Sequence, residues 1–268
     1  MPSDLLSFNQ QLNRVELVHP KFADRREVAR LKSVLLREKE RFGATRSVLR
    51  ALTSAHVPID DDKFKVEGRI KTPNGELSVF GFNDECRLPS PQIVAAEVAY
   101  QNKIISYERR IPPQNLEIKR LEAGSKIAED LELVYAATYS YYPKPLDAPN
   151  ILRILNEAIG YAVLQGGNIV SVLFGEIRKF DAVHTVELTY SATLPSERGA
   201  GMTVALAHKI KEEAVRRFPD PVIFAETIAA PVMRSCHDFG MSPRGVLREH
   251  FRIALGDLVF TNMYLWSL

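Results

Sequence analysis

The segment Thr193-Leu194-Pro195-Ser196-Glu197-Arg198-Gly199-Ala200-Gly201-Met202-Thr203 carries the clearest chemistry in the chain. Glycines 199 and 201 let a backbone curl closely around a ligand. A helix that begins directly after them presents amides with no internal partner and about half a positive charge. Strand, glycine loop and helix in that order form a cradle for phosphate groups. Neither GxxxxGK[ST] nor GxGxxG occurs, so ATP-type and dinucleotide-type loops are set aside. The six histidines are scattered and no HExxH is present, so no metal is expected.

The flanking segments must position that loop. Before it, residues 185–194 alternate: Glu187, Thr189, Ser191 and Thr193 fall on one face, Val186, Leu188, Tyr190 and Ala192 on the other. A polar face on a central strand marks a ligand cleft. After the loop, Leu206, Ala207, Ile210 and Ala214 form the apolar stripe of a helix from about 201 to 217. Around these, the pattern predicts strands over 116–121, 161–165, 168–178, 222–228, 244–253 and 258–266. It predicts helices over 126–139, 148–159 and 230–239. The result is an α/β chain with a mixed sheet, antiparallel in its first half because Gly166-Gly167-Asn168 makes a short hairpin.

Upstream, Ile111-Pro112-Pro113-Gln114-Asn115 marks a boundary, since paired prolines lack amide donors and push their neighbours out of helical geometry. The expected division is 1–112, an α+β extension, and 113–268, the domain with the loop. In the extension, Val28, Leu31, Val34 and Leu35, then Val48, Leu49 and Leu52, recur at helical spacings, predicting one or two helices over 22–54 with Gly43 interrupting. Strands follow over 64–70 and 76–82, joined by a Pro-Asn-Gly turn, and then a helix over 91–101. No motif in this region attaches to chemistry.

Composition narrows the classes further. Of 268 residues, 46% are hydrophobic and 25% charged, which suits an ordinary folded protein and excludes a mainly disordered one. A net charge of +2, from 35 basic and 33 acidic side chains, names neither nucleic acid nor an anionic membrane as partner. No signal-peptide pattern opens the chain and no apolar run nears the roughly 20 residues a membrane span needs, so a cytoplasmic protein is expected. Cys86 and Cys236 have no paired spacing, so reduced thiols are expected.

The loop resembles the coenzyme A loop of the GNAT superfamily of acyltransferases, in which Arg or Gln and two further residues precede Gly, any residue, then Gly or Ala. Arg198, Gly199, Ala200, Gly201 and Met202 carry that likeness, and Thr203 stands at the last small position. A narrower resemblance is to beta-lysine acetyltransferases, through Glu187-Leu188-Thr189-Tyr190-Ser191-Ala192-Thr193-Leu194-Pro195, Tyr142-Pro143-Lys144-Pro145 and Thr227-Ile228-Ala229. These matches span residues 116–268.

The resemblance implies a GNAT-like, mostly antiparallel mixed sheet flanked by helices. It implies acetyl-CoA or another acyl-CoA as co-substrate, with the backbone of Ala192, Thr193 and Leu194 along the pantetheine arm and the amides of 199–203 at the pyrophosphate. A neighbouring backbone amide would polarise the thioester carbonyl. An alkylammonium of pKa about 10.4 costs roughly 4.6 kcal/mol to deprotonate at pH 7, so a base is needed. Glu187 is the family-like candidate and Glu226 the alternative. Where related enzymes place a tyrosine to protonate the departing thiolate, this chain has Cys236; Cys236, His237 or water could do so. Tyr142, in the cluster Tyr139, Tyr141 and Tyr142, is a candidate on the acceptor wall. The implied acceptor is a small amine such as an amino acid or polyamine, with no nucleic acid or membrane partner and a homodimer left open. Two rivals stand beside it: a catalytically silent acyl-CoA-binding module, and a protein-lysine or N-terminal acetyltransferase.

Overall fold

The computed structural model describes residues 6–10, 12–54, 63–84, 91–140, 142, 144–228, 230–255 and 257–268. In chain order the elements are β1 (Leu6–Asn9), β2 (Arg14–Ala23), α1 (Arg25–Phe42), β3 (Arg46–Thr53), β4 (Lys65–Thr72), β5 (Gly75–Asn83) and α2 (Pro91–Ile105). Then follow β6 (Glu117–Arg120), α3 (Ser125–Thr138), α4 (Ala148–Glu157), β7 (Ala158–Gln165), β8 (Asn168–Phe180) and β9 (Val183–Thr193). The chain ends with α5 (Met202–Arg217), β10 (Val222–Thr227), α6 (Ala230–Phe239), β11 (Ser242–Leu255) and β12 (Asp257–Ser267). The fold is α/β with mixed, mostly antiparallel strands and flanking helices. Among the described residues no helix is long and apolar enough to cross a membrane.

The described residues form two compact units. One lies within Met1–Asn102, Lys179–Val183 and Pro243–Ser267, the other within Lys103–Arg178, His184–Ser242 and Leu268. The sequence places a boundary after residue 112 and leaves the last strands with the second half. The units instead divide near residue 102, and β11 groups with the first because Gly245 pairs antiparallel with Gly68 of β4.

In the first unit the strand order is β1-β2-β3-β5-β4-β11-β12. Asp24 caps α1 by accepting the Glu27 amide at 2.8 Å, and Gly43 ends it in the left-handed region at φ 61°. Val28, Leu31 and Leu35 of α1 pack on Val15, Leu17, Leu49, Ala51 and Phe80. The helical spacing of Val48, Leu49 and Leu52 is misleading, for this segment is the strand β3, parallel to β2 and antiparallel to β5. Every residue of β3 is buried, and a strand covered on both faces shows no alternation from which to read its period.

In the second unit the order is β10-β9-β8-β7-β6. β6, β7 and β8 pair antiparallel, whereas β10 runs parallel to β9. Gly166 and Gly167, at φ 57° and 83°, make the two-residue turn joining β7 and β8. Helices α3 and α4 cover one face through Leu131, Tyr135, Ile151 and Ile154, packed on Ala162, Val172, Phe174, Tyr190 and Ala192. Helix α5 lies on the other face, so close that a β-carbon on Gly175 would stand 2.7 Å from Ile210 Cγ2. The predicted stripe Leu206, Ala207, Ile210 and Ala214 is buried throughout.

Candidate functional site

The site is built on an irregularity in β9. Tyr190 adopts φ 50°, in the left-handed region a tyrosine rarely occupies, and the strand changes phase there. Before it, Val186 and Leu188 face α5, while Thr189 hydrogen-bonds the Tyr142 side chain on the α3 face. After it, Tyr190 and Ala192 pack under α3 and α4, and Ser191 joins Leu188 in lining a cleft. The expected polar face of Glu187, Thr189, Ser191 and Thr193 therefore breaks at Ser191, because the bulge inserts a residue into the period of two. Parallel pairing with β10 runs from Val222 opposite Thr185 to Ala225 opposite Leu188, and goes no further among the described residues. The two carbonyls at the bulge are met from α3 instead: the Tyr135 hydroxyl donates to Tyr190 O at 2.8 Å, and the Tyr139 hydroxyl donates to Ser191 O.

Where the strands part, a cleft of about 340 Å³, counted out to its mouth, opens between them and the helices. Leu188, Ser191 and Ala225 line it from the sheet, Thr203 and Ala207 from α5, and Cys236 and Phe239 from α6. The glycine loop borders it. A short 3-10 turn, Pro195–Glu197, leads to Gly199 at φ 87° and Gly201 at φ 73°, both open to glycine and strained for other residues. Gly201 caps α5 without a side chain, and its carbonyl takes the amides of Val204 and Ala205 at 3.1 and 3.2 Å. Among the described residues no protein acceptor meets the amides of Met202 and Thr203. A β-carbon on Gly199 would meet nothing within 4 Å, so the loop's outer side is open. Open backbone, unpaired helix amides and an adjoining apolar cleft fit a ligand with a phosphorylated end and a slender arm.

Not every residue of the predicted set points there. The Leu194 amide is held by Val170 O at 2.9 Å, and the Thr193 hydroxyl pairs with Ser171 at 2.8 Å. Arg198 turns back, its guanidinium 3.4 Å from Thr193 O and 3.5 Å from Thr138 O, so it ties the loop to the end of α3. Pro113 Cδ would stand 3.2 Å from a β-carbon on Gly201, which brings the diproline segment against the loop. Residues just before it are held by α6: His237 Nε2 lies 2.8 Å from Tyr107 O, and Asp238 accepts the Arg110 amide at 3.1 Å. His237 is thus engaged with backbone rather than turned to the cleft.

Glu187 is largely buried and ion-paired with Arg178 at 3.4 Å, which also meets Glu176 at 3.1 Å. Phe224 lies opposite Glu187 in register, so Glu226, two residues along β10, shares the face of Glu187 and not that of the cleft-lining Ala225. Cys236 is buried at the cleft wall, and burial pushes its thiol up to about 12. Tyr142 packs between Tyr139 and Tyr190, its ring tilted against both with centroids 5.2 and 6.0 Å away, and burial holds its hydroxyl far above the ordinary range. Lys144 donates to the Tyr190 hydroxyl at 3.2 Å; burial acts to lower its ammonium, but Tyr190 and Glu176 outweigh that and the net shift is upward. Cys86, Tyr141, Pro143 and Ala229 lie outside the described residues. Sequence reasoning missed Tyr135, Lys144 and Arg178; the four-residue spacing of Tyr135 and Tyr139, one helical turn, was the available signal for the first.

No family model matches the chain, and no curated protein matches it. Solved structures similar to it include an N-acetyltransferase from Staphylococcus aureus Mu50, at 12% identity over 57% of this chain and 96% of that one, TM-score 0.46. The ribosomal-protein-S18-alanine N-acetyltransferase from Escherichia coli is similar at 13% identity over 57% and 92%, TM-score 0.47. NAA60 from Arabidopsis thaliana, in complex with a bisubstrate analogue, is similar at 14% over 56% and 97%, TM-score 0.47. At such identities and TM-scores, residue roles rest on the geometry of this chain.

Proposed function

We propose that the unit containing the cleft is an N-acyltransferase of the GNAT type, taking an acetyl or other acyl group from coenzyme A to the amine of a small metabolite such as an amino acid or polyamine. The observation that carries this reading is the parting of β9 from β10 at the Tyr190 bulge, beside a glycine loop where, among the described residues, the amides of Met202 and Thr203 have no protein acceptor. The co-substrate supplies an acyl group already activated as a thioester. The amides of 199–203 would hold its pyrophosphate, and the unpaired edge of β9 would run beside its arm. The loop, the bulge and α6 all lie in the second unit.

Glu187 takes the amine's proton in this reading, directly or through a water, with Glu226 on the same sheet face as the alternative. Cys236 is protonated at neutrality but is a weak donor. Passing its proton to a thiolate of ordinary pKa, about 8.5, would run uphill by about 3.5 units, roughly 5 kcal/mol. A thiolate of pKa about 8.5 is a tolerable leaving group without a protein acid, and it takes its proton from bulk solvent after departure.

Calorimetric titration with acetyl-CoA tests the reading, using the wild type and Ala200→Asp. Ala200 is exposed and outside the left-handed region, so a carboxylate enters the loop without backbone strain. Micromolar binding, weakened tenfold or more by the substitution, is the expected result. Amine-dependent thiol release should follow, reduced about 10²–10⁴-fold by Glu187→Gln at unchanged affinity. Binding without release under any amine would favour the silent module; no binding of acetyl-CoA or longer acyl-CoAs by the wild type would sink the proposal.

A further inference from the structure

The hydroxyls of α3 meet β9 in an unusual way. Successive carbonyls of a regular strand point to opposite sides, yet those of Tyr190 and Ser191 both accept from the same helix, from Tyr135 at 2.8 Å and from Tyr139 one turn further along. All described peptide bonds are trans, and in a trans peptide the N–H points away from the carbonyl oxygen of the same unit. Fixing Tyr190 O towards α3 therefore fixes the Ser191 N–H away from α3. Ser191 lines the cleft, and its amide lies beyond the last residue of β9 paired with β10.

We infer that Tyr135 and Tyr139 are positioning residues: by locking the bulge they hold the Ser191 N–H in the orientation needed for the carbonyl-polarising backbone amide that the GNAT resemblance already implies. This rests on the acyltransferase reading above. A donor already aimed when charge develops on that oxygen needs no reorganisation, which is where such a group gains its effect. Tyr135 is buried and burial raises its hydroxyl well above the ordinary range, so it remains a proton donor to Tyr190 O at any working pH. Tyr139, half-buried, holds the following carbonyl and prevents the Tyr190–Ser191 and Ser191–Ala192 peptides from rotating together.

The test uses full-length protein with Tyr135→Phe, Tyr139→Phe and, as a control on α3, Leu133→Ala, whose side chain is 70% exposed. Difference infrared spectra of bound acetyl-CoA carrying a carbonyl ¹³C label read the polarisation without needing the acceptor. Hydrogen exchange at residues 189–193 of the unliganded protein reads the lock itself. The expected result is a thioester carbonyl band shifted to lower frequency in the wild type and the control, and returned towards its free position in both Phe variants. Affinity should stay within about threefold while exchange accelerates and turnover with an amine falls about 10–100-fold, less than complete loss of an oxyanion donor. An unmoved band in both variants, even with faster exchange, would show that the hydroxyls merely satisfy buried carbonyls and would overturn the inference. So would a wild type that binds acetyl-CoA with no shift at all. A wild type that fails to bind is a different result, which removes the acyltransferase reading itself. Should Tyr135→Phe fail to fold, Tyr139→Phe decides the matter.

Discussion

Leu188 and Ser191 stand three positions apart on β9 and line the same cleft. An unbroken strand would set them on opposite faces, so the cleft exists in this form because Tyr190 absorbs the extra residue at φ 50°. Its ring is also spent on the α3 side, edge-on to Phe174 at 6.3 Å and tilted against Tyr142. Tyr190→Phe, which loses only the contact to Lys144, should cost under about 1 kcal/mol in urea unfolding. Tyr190→Val should cost roughly 3 kcal/mol or more, since it removes the ring and puts a β-branched residue in the left-handed region. Equal stability of the two variants would show that the bulge is not held by this residue.

The thiol of Cys236 offers a check on the cleft wall. With its pKa pushed up to about 12, about 10⁻⁴ of it is thiolate at pH 8, against about a quarter for an ordinary cysteine. Iodoacetamide should modify Cys236 on the order of 10³-fold more slowly in native protein than in urea, with the native rate rising tenfold per pH unit. Peptide mass spectrometry after timed quenching reads both rates. Labelling as fast in the native protein as in urea would place the thiol in solvent and remove it from the cleft.

How much of this was visible beforehand depends on how local the cause was. The glycine loop and the stripe of α5 are local: spacing alone fixes which residues turn and which face the sheet, and Leu206, Ala207, Ile210 and Ala214 are buried as expected. The phase change at Tyr190 is not, because a tyrosine forced to φ 50° leaves no mark in an alternating sequence. The same holds for β3, where Val48, Leu49 and Leu52 imitate a helical repeat between the charged Arg46 and Arg50. Their guanidinium groups are buried on partners from distant strands, Arg46 on Glu67 and Arg50 on Glu16, which no local window contains. Arg198 matched its motif, yet its reach to Thr138 O depends on where α3 ends.

Arg46 is fully buried in the first unit and joins four strands. It donates to Glu67 at 3.1 and 2.5 Å, to Asn83 Oδ1 at 2.6 Å and to His250 Nδ1 at 3.0 and 3.2 Å. A guanidinium only donates, so Nδ1 of His250 accepts. Arg46→Met would strip a buried carboxylate of its partner and should cost about 3–5 kcal/mol in denaturant unfolding. Arg46→Lys should recover little, because one ammonium cannot reproduce a planar fork with three partners. A loss under about 1 kcal/mol for the methionine variant would mean that the cluster is not coupled to the fold.

Glu213 on α5 is 3% exposed, accepts from the Tyr161 hydroxyl at 2.6 Å, meets Arg120 at 3.1 Å and is also bound by Arg217. Burial pushes its carboxyl up, but the Tyr161 hydrogen bond and the arginines outweigh it and the net direction is down. The folded protein therefore holds fewer protons at this site than the unfolded chain when both are acidified. Its contribution is complete above the ordinary carboxylate value, about 4.3, and disappears as pH falls through the lower folded value. The stability difference between wild type and Glu213→Gln, measured by urea unfolding, should stay constant from pH 6 to 8 and narrow as pH drops below about 4.3. A difference that widens on acidification would require Glu213 to titrate upward, which would mean that burial, and not its cationic and hydroxyl partners, governs the end of α5.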